Sequence, residues 1–575
     1  MIKKENSKKI LTSLILSFII STNCIAFADS ETPDIKRADI HFSQMSNELH
    51  KADKLYSDLK ELENLSKDEK NKEKVLALYK EVYDEMDKIY TASTINEIYY
   101  SKDVTNKKFA EQKNYYDKIN LESTDKVYTV LKDVLKSPCG PYLESLIGKD
   151  IAETINTFEP MSESSSELAI KESELVQKYD QLNAVKYNSP KEKNKILGET
   201  FKELVLVRDK IAKENGYNNY LDYAYEYEYS RNYRPDDFAK VRKNIKKYIL
   251  PLYIDYTSSI TEKDGELVDS IRGKSGEYVL DQLEPHMKSF LPELGESFSY
   301  MRKYGLYDID ADEKKMDGGY TCFLNSYKVP FIYNYPYDNY RDFKDMIHEF
   351  GHFNNAFFHE EHAISSNVYS MDVMEIQSQA LELLFTQFAD SIYGEKVASS
   401  TEKIIIADLL GIIMDGSVID EFENEVYSNP EMSLEEMNRT FKKINVSYGL
   451  GYDDGSDDQD YFWTDTSHIF QSPGYYASYA ISMLSSFDIW TKYLNDAELG
   501  KESYRKIALE SYNMSYEDAI YQANLFDIFD KSEFISLSKN TADALNVDFP
   551  SNKSPIMIFL ATAISIFLVH KVRSK

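Results

Sequence analysis

One short stretch dictates the geometry around it: His348-Glu349-Phe350-Gly351-His352, preceded by Asp342-Phe343-Lys344-Asp345-Met346-Ile347 and followed by Phe353. Residues four apart on an α-helix lie about 40° from each other around the axis, so a helix here presents the His348 and His352 imidazoles side by side. At that spacing two histidines can grip one zinc ion. Glu349, one residue after the first, can reach a water in the ion's open position and take its proton. Gly351 costs a helix interior about 1 kcal/mol relative to Ala, which implies a close neighbour at that point.

Histidines so spaced also occur as plain surface or core residues, but the surroundings favour chemistry. The chain has only 9 His, an acidic helix follows the stretch, and an isolated His beside three Tyr comes later. The sequence predicts a helix over 371–385. Glu375 is far enough from His348 for a loop and a returning helix to bring its carboxylate to the metal as third ligand. Glu382, two turns further on, either orients a ligand imidazole or is solvated. His359-Glu360-Glu361-His362 lies in a charged, turn-like segment and reads as surface. Gly449 to Asp460 reads as a loop without the ordered spacing of a calcium site. In Ser467-His468-Ile469-Phe470-Gln471-Ser472-Pro473-Gly474-Tyr475-Tyr476-Ala477-Ser478-Tyr479, the imidazole and the Tyr hydroxyls are donors suited to a developing oxyanion. Tyr476 and Tyr479 share a helical face.

The fold class expected is mostly α. From Ser30 to Ser189 apolar residues recur at helical spacing with almost no Gly or Pro, Leu76, Leu78, Tyr79, Val82, Tyr83 and Met86 forming one stripe. Breaks fall at Ser137-Pro138-Cys139-Gly140-Pro141 and Glu159-Pro160-Met161-Ser162. Gly216-Tyr217-Asn218-Asn219 reads as a turn, and Ser230 to Asp237 as a loop capping a helix that starts near Pro235. The β signal is a hairpin of Gly318-Gly319-Tyr320-Thr321-Cys322-Phe323-Leu324 and Lys328-Val329-Pro330-Phe331-Ile332-Tyr333-Asn334-Tyr335. Pro330 has no N–H to give a ladder, which makes the second segment an edge strand or the start of one. The hairpin either binds an extended peptide along its edge or only buttresses the helix.

Charge and the chain ends add expectations about partners. With 97 Asp and Glu against 67 Lys and Arg, a formal charge of −30 excludes a nucleic-acid partner. A basic start, an apolar run from Ile10 to Ile20 and Ala26-Phe27-Ala28 read as a signal peptide over 1–28. Cys139 and Cys322 then read as free thiols, one long bridge being the alternative. Residues 556–569 are uncharged, with Pro555 before them and His570-Lys571-Val572-Arg573-Ser574-Lys575 after. Fourteen helical residues span about 21 Å, short of a hydrocarbon core of about 30 Å. The basic end and the signal peptide nevertheless lead us to expect a transmembrane helix over 555–570, holding the protein on the extracellular face of the cell membrane. A cell-wall sorting signal has a similar layout, but no Leu-Pro-x-Thr-Gly precedes it. Between the ends we expect an N-terminal helical region over 29–199 and a catalytic region over 200–550.

Four stretches together resemble the thimet oligopeptidase and oligoendopeptidase F family of zinc peptidases. They are Ile211-Ala212-Lys213-Glu214-Asn215-Gly216-Tyr217-Asn218-Asn219-Tyr220, the Gly318 to Ile332 hairpin, the His348 to His352 stretch with Glu375-Ile376-Gln377-Ser378, and His468 to Tyr479. The resemblance implies a two-lobed helical body with a deep channel that admits short unfolded peptides. It implies one Zn2+ held by His348, His352 and Glu375, with Glu349 as general base and proton carrier. His468, Tyr476 and Tyr479 would stabilise the tetrahedral intermediate, while Tyr475, Gly318, Gly319 and Tyr320 would lie along the peptide. Two features depart from the family. Its members are mostly soluble intracellular enzymes, and the spacing from His468 to the tyrosines differs by one residue, which leaves Tyr475 as an alternative to Tyr476. The activity expected is an oligoendopeptidase using a metal-activated water. A carboxydipeptidase similar to angiotensin-converting enzyme and a non-catalytic peptide-binding protein are the rivals.

Overall fold

Apolar residues at helical spacing build most of the protein, and a computed structural model describes residues 35–158, 162–359, 370–450 and 458–550. The chain divides into two compact units. The first takes the described residues up to Glu174, Tyr300–Tyr333 and the few from Ala356. Its core lies among α1 (Asp53–Leu65), α2 (Lys72–Lys102) and α3 (Lys107–Leu135). Val75, Tyr79, Val82, Met86 and Ile89 form the buried stripe of α2, packed with Leu55, Leu59 and Leu62 of α1 and Val127, Leu131 and Val134 of α3. Leu76, Leu78 and Tyr83 are only partly buried against this cluster, so the centre of the stripe lies to one side of the expected one. The break after α3 falls where Pro141 enters the first turn of the next helix, Gly140–Ile147. The other expected break lies partly outside the described residues. Cys139 and Cys322 are both free.

Three short strands, β1 (Tyr307–Asp308), β2 (Gly319–Leu324) and β3 (Val329–Asn334), form a sheet in the order β1-β3-β2. Of the two places expected for Pro330, an edge strand or the start of one, the edge is corrected: β3 is the middle strand, with Pro330 as its second residue. Residues two apart in a strand point their N–H groups the same way. Ile332 N donates to Leu306 O, on the β1 side, so the missing N–H of Pro330 faces that side too. β1 pairs only with Ile332 and Tyr333; the strand therefore ends before the proline would fail it.

The second unit comprises Leu175–Ser299, Asn334–Asn355 and the described residues from Ser370 onward. Five helices form or support the site: α4 (Arg341–Phe358), α5 (Met371–Phe385), α6 (Ala398–Ser428), α7 (Ser467–Gln471) and α8 (Tyr476–Asn495). The helix α5 has the span predicted for it. All 15 of its residues are buried, polar ones included, and it packs along α8, which also lies on α6. Asn219 accepts from Leu221 N at 2.7 Å to cap the helix after the expected turn, and a helix starts at Pro235. Asp458–Asp465 forms a 3₁₀ helix, so the end of the expected loop is ordered.

The expectation of a membrane partner is also corrected. Among the described residues no helix is long and apolar enough to cross a membrane. The 555–570 segment and the signal peptide expected over 1–28 both lie outside the described residues. At about 21 Å the uncharged run is too short for the core of a bilayer, and the transmembrane anchor and extracellular placement built on it are withdrawn.

Candidate metal centre and active site

Two helices make the site, and a missing side chain lets them meet. A Cβ on Gly351 would stand 2.6 Å from Ser378 Cα and 2.9 Å from Gln377 O, inside the backbone of α5. Only glycine at this position allows α4 to approach α5 so closely, which is the close neighbour its place in a helix implied.

The approach brings three donors together. His348 Nε2 and His352 Nε2 lie 3.5 and 3.8 Å from the same oxygen of Glu375, and the ligand atoms of the three residues are all within 4.8 Å of one another. Tetrahedral bonds of about 2.0–2.2 Å put donors about 3.3–3.6 Å apart, so two imidazoles and a carboxylate at these distances fit a small divalent cation. Burial and mutual charge set their electrostatics. Burial raises the Glu375 carboxyl above its ordinary range, against the pull of His348 and a hydrogen bond from Tyr475. Burial and the neighbouring His348 hold His352 well below the usual imidazole value, which keeps its lone pair free of a proton. Burial also disfavours a charged His348. The hydrogen bond and charge of Glu382, with the charges of Glu375 and Glu349, outweigh it and carry that ring up to about 9.

The surrounding groups fix these donors. Glu382 is buried rather than solvated, and its Oε1 lies 2.7 Å from His348 Nδ1. Its other oxygen accepts from Lys344 Nζ at 3.3 Å, and Lys344 also reaches Asp345 at 2.9 Å. Sequence reasoning missed Lys344. The available signal was position, since Lys344, His348 and His352 recur every four residues along one face of α4. Glu349 is buried on the same helix, and its carboxylate acts electrostatically on both His348 and Tyr479.

Opposite stands the His468 segment. Tyr475 donates its hydroxyl to Glu375 Oε1. Tyr479 OH lies 3.2 Å from His468 Nε2, and the Tyr476 ring is 5.0 Å from that imidazole. A Cβ on Gly416 of α6 would meet Tyr476 O at 2.7 Å, so a second glycine seats the start of α8. Burial carries the His468 imidazole down to about 4. Burial first, then the carboxylates around it, hold Tyr479 well above the ordinary phenol value, so it keeps its proton. In the other unit, Tyr320 OH donates to Ser101 Oγ at 3.1 Å and its ring stacks on Tyr333. Gly318 leads into β2, and Gly319 is the first residue of that strand, next to Tyr320. Among the described residues no other group of three His, Cys, Asp or Glu could hold an ion. His362 lies outside the described residues.

Residues 42–158 match the model of the peptidase M3 N-terminal domain, and residues 293–536 that of peptidase family M3. Together these two take up more than half of the chain. It belongs to peptidase family M3. This M3 chain is therefore a metallopeptidase, and the His348, His352 and Glu375 cluster is its candidate metal site. Its fold is similar to that of PZ peptidase A with inhibitor 2, at 20% identity and a TM-score of 0.76, over 88% of this chain and 99% of the other. A putative oligoendopeptidase F matches at 20% identity and 0.74 over 88% and 99%. Another, from Bacillus anthracis, matches at 19% and 0.72 over 88% and 98%. No curated protein matches this M3 peptidase.

Proposed function

We propose that this M3 peptidase is a zinc-dependent endopeptidase that hydrolyses short oligopeptides. The observation that carries the reading is the convergence of His348, His352 and Glu375 with Glu349 beside them. Two nitrogens and one oxygen are a set suited to zinc at a catalytic site. Endopeptidase action on oligopeptides is supported by fold neighbours whose own descriptions say oligoendopeptidase F.

A zinc ion held there supplies Lewis acidity and brings water into the range where it ionises near neutral pH. The protein's own groups do the rest. The Glu349 carboxylate takes the proton of the attacking water and later gives it to the leaving amine. Tyr479, protonated at any working pH, donates to the oxyanion along with Tyr476 and neutral His468. Tyr475 orients Glu375 through the oxygen it donates to, and Glu382, held by Lys344, orients His348.

The test is cleavage of an internally quenched peptide by the parent and by Glu349→Gln, with zinc content measured on both. The variant should keep its zinc and lose about 10³-fold or more in kcat. A second peptide with a blocked C-terminus separates the rivals, because a carboxydipeptidase would fail on it. A zinc-loaded parent inert to a broad peptide library would leave only peptide binding.

A further inference from the structure

Between His468 and Tyr479 the chain turns sharply, with Gly474 at a φ of 85°, and buried side chains hold that turn from behind. Four of its carbonyls are taken by three of them. Arg208 donates to Ile469 O and Phe470 O, Tyr229 OH to Pro473 O at 2.9 Å, and Arg231 Nη1 to Gly474 O at 2.9 Å. Glu423 of α6 accepts from Gly474 N at 2.9 Å.

Arg231 does more than cap a carbonyl. Its Nη2 donates to Ser478 Oγ, on the first turn of α8, at 2.7 Å. Its Nε reaches Asp372 Oδ1, on the first turn of α5, at 3.3 Å. Ser478 closes the triangle by donating to the same Asp372 oxygen at 2.6 Å. Tyr233 OH holds the other oxygen at 2.6 Å. Asp372 lies one turn before Glu375, and Ser478 lies beside Tyr479. One guanidinium thus ties the metal-ligand helix to the turn that carries Tyr475, Tyr476 and Tyr479.

The chain is shaped to deliver that guanidinium. The helix Tyr220–Tyr223 passes into a π-helical turn, Ala224–Glu228. Such turns add a residue to the coil and so redirect the chain beyond them. Ser230 then takes a left-handed φ of 51°, a conformation that strains a non-glycine residue and persists where the surroundings hold it. Arg231 N donates back to Tyr225 O at 2.8 Å, and its side chain, wholly buried, lies against the Tyr225 and Tyr229 rings at 4.1 and 4.8 Å.

We propose that Arg231 is a positioning residue of the peptidase reaction: its fork sets the register between α5 and the start of α8, and so the meeting of Tyr475 with Glu375 and the aim of Tyr479. This rests on the endopeptidase reading of the site. Lysine cannot replace it, because a point charge lacks the planar set of donors.

The experiment compares the parent with Arg231→Met, Arg231→Lys and Ser478→Ala in zinc content, steady-state kinetics and amide hydrogen exchange of residues 469–478. Both Arg231 variants should keep their zinc and a KM within about threefold of the parent while kcat falls about 10- to 100-fold, as misplacement of reacting groups demands. Exchange in the turn should quicken by about tenfold or more. Parent-like kcat and exchange in a folded Arg231→Met would overturn the proposal. Should that variant fail to fold, Ser478→Ala decides. It removes one contact and little bulk, is expected to lower kcat about 3- to 10-fold, and overturns the proposal if kcat and exchange are unchanged. A parent that cleaves no peptide sinks the endopeptidase reading by itself. The exchange measurement still decides whether Arg231 holds the turn.

Discussion

Replacing Gly351 with Ala tests the contact on which the metal centre depends. The new methyl would stand 2.6 Å from Ser378 Cα, where ordinary contact begins at 3.4 Å. Backbone cannot swing aside as a side chain does, so α4 and α5 must separate by about 0.8 Å, the difference of those two distances. Overpacking of this kind costs about 1–3 kcal/mol, and Ala returns about 1 kcal/mol of helix propensity. The metal-free protein should therefore lose no more than about 2 kcal/mol of stability. Metal binding should suffer far more. Ligand distances tolerate about 0.2 Å, and the separation falls between the two histidines on α4 and Glu375 on α5. We expect zinc affinity to fall by about 100-fold or more. Chelator competition measures the affinity, and thermal melts with and without metal separate it from stability. A Gly351→Ala protein that binds zinc as the parent does would refute the claim that this helix contact sets the ligand spacing.

Two further predictions rest on single contacts. Glu382→Gln leaves His348 Nδ1 with a neutral acceptor in place of the carboxylate now 2.7 Å away, and zinc affinity should drop about 10- to 100-fold by the same competition assay with little change in the metal-free melt. His468 sits near 4 in the folded protein because burial disfavours its charged form, against about 6.5 unfolded. Its contribution is complete above pH 6.5 and is lost as pH falls toward 4, since only the unfolded chain takes up the proton in that window. The loss amounts to about 3 kcal/mol. Denaturant unfolding of the metal-free protein at pH 7 and pH 4.5 should show a smaller drop in His468→Gln than in the parent. Equal drops would mean that the ring is protonated as readily in the folded state.

The parts of the fold that were legible are those where local pattern and final environment agree. The helix around His348 was written in the spacing of its histidines, and α5 in a stretch without Gly or Pro. Gly351 announced close packing because a glycine mid-helix has a cost that something must offset. The position of β3 was not legible, because its partner β1 is two residues long and so short a strand shows no period. Nor was the role of Tyr475. The helix α8 begins at Tyr476, so Tyr475 stands outside the helical frame in which Tyr476 and Tyr479 were paired. Its direction is set by a turn whose shape comes from residues far away in sequence. Residues 556–569 carry the flanking pattern of an anchor but, at about 21 Å if helical, not the length of one.

The absence of any exposed residue on α5 has an evolutionary consequence. Most helices keep a wet face on which sequence can drift at no cost, and that face absorbs chance mutation. Here even the positions between Asp372, Glu375 and Glu382 press on a neighbour. A saturation library across Met371–Phe385 should return almost no tolerated change, whereas the half-exposed α2 accepts many. Divergence among descendants of this protein would have to happen elsewhere, and α5 would change only together with the helices that enclose it.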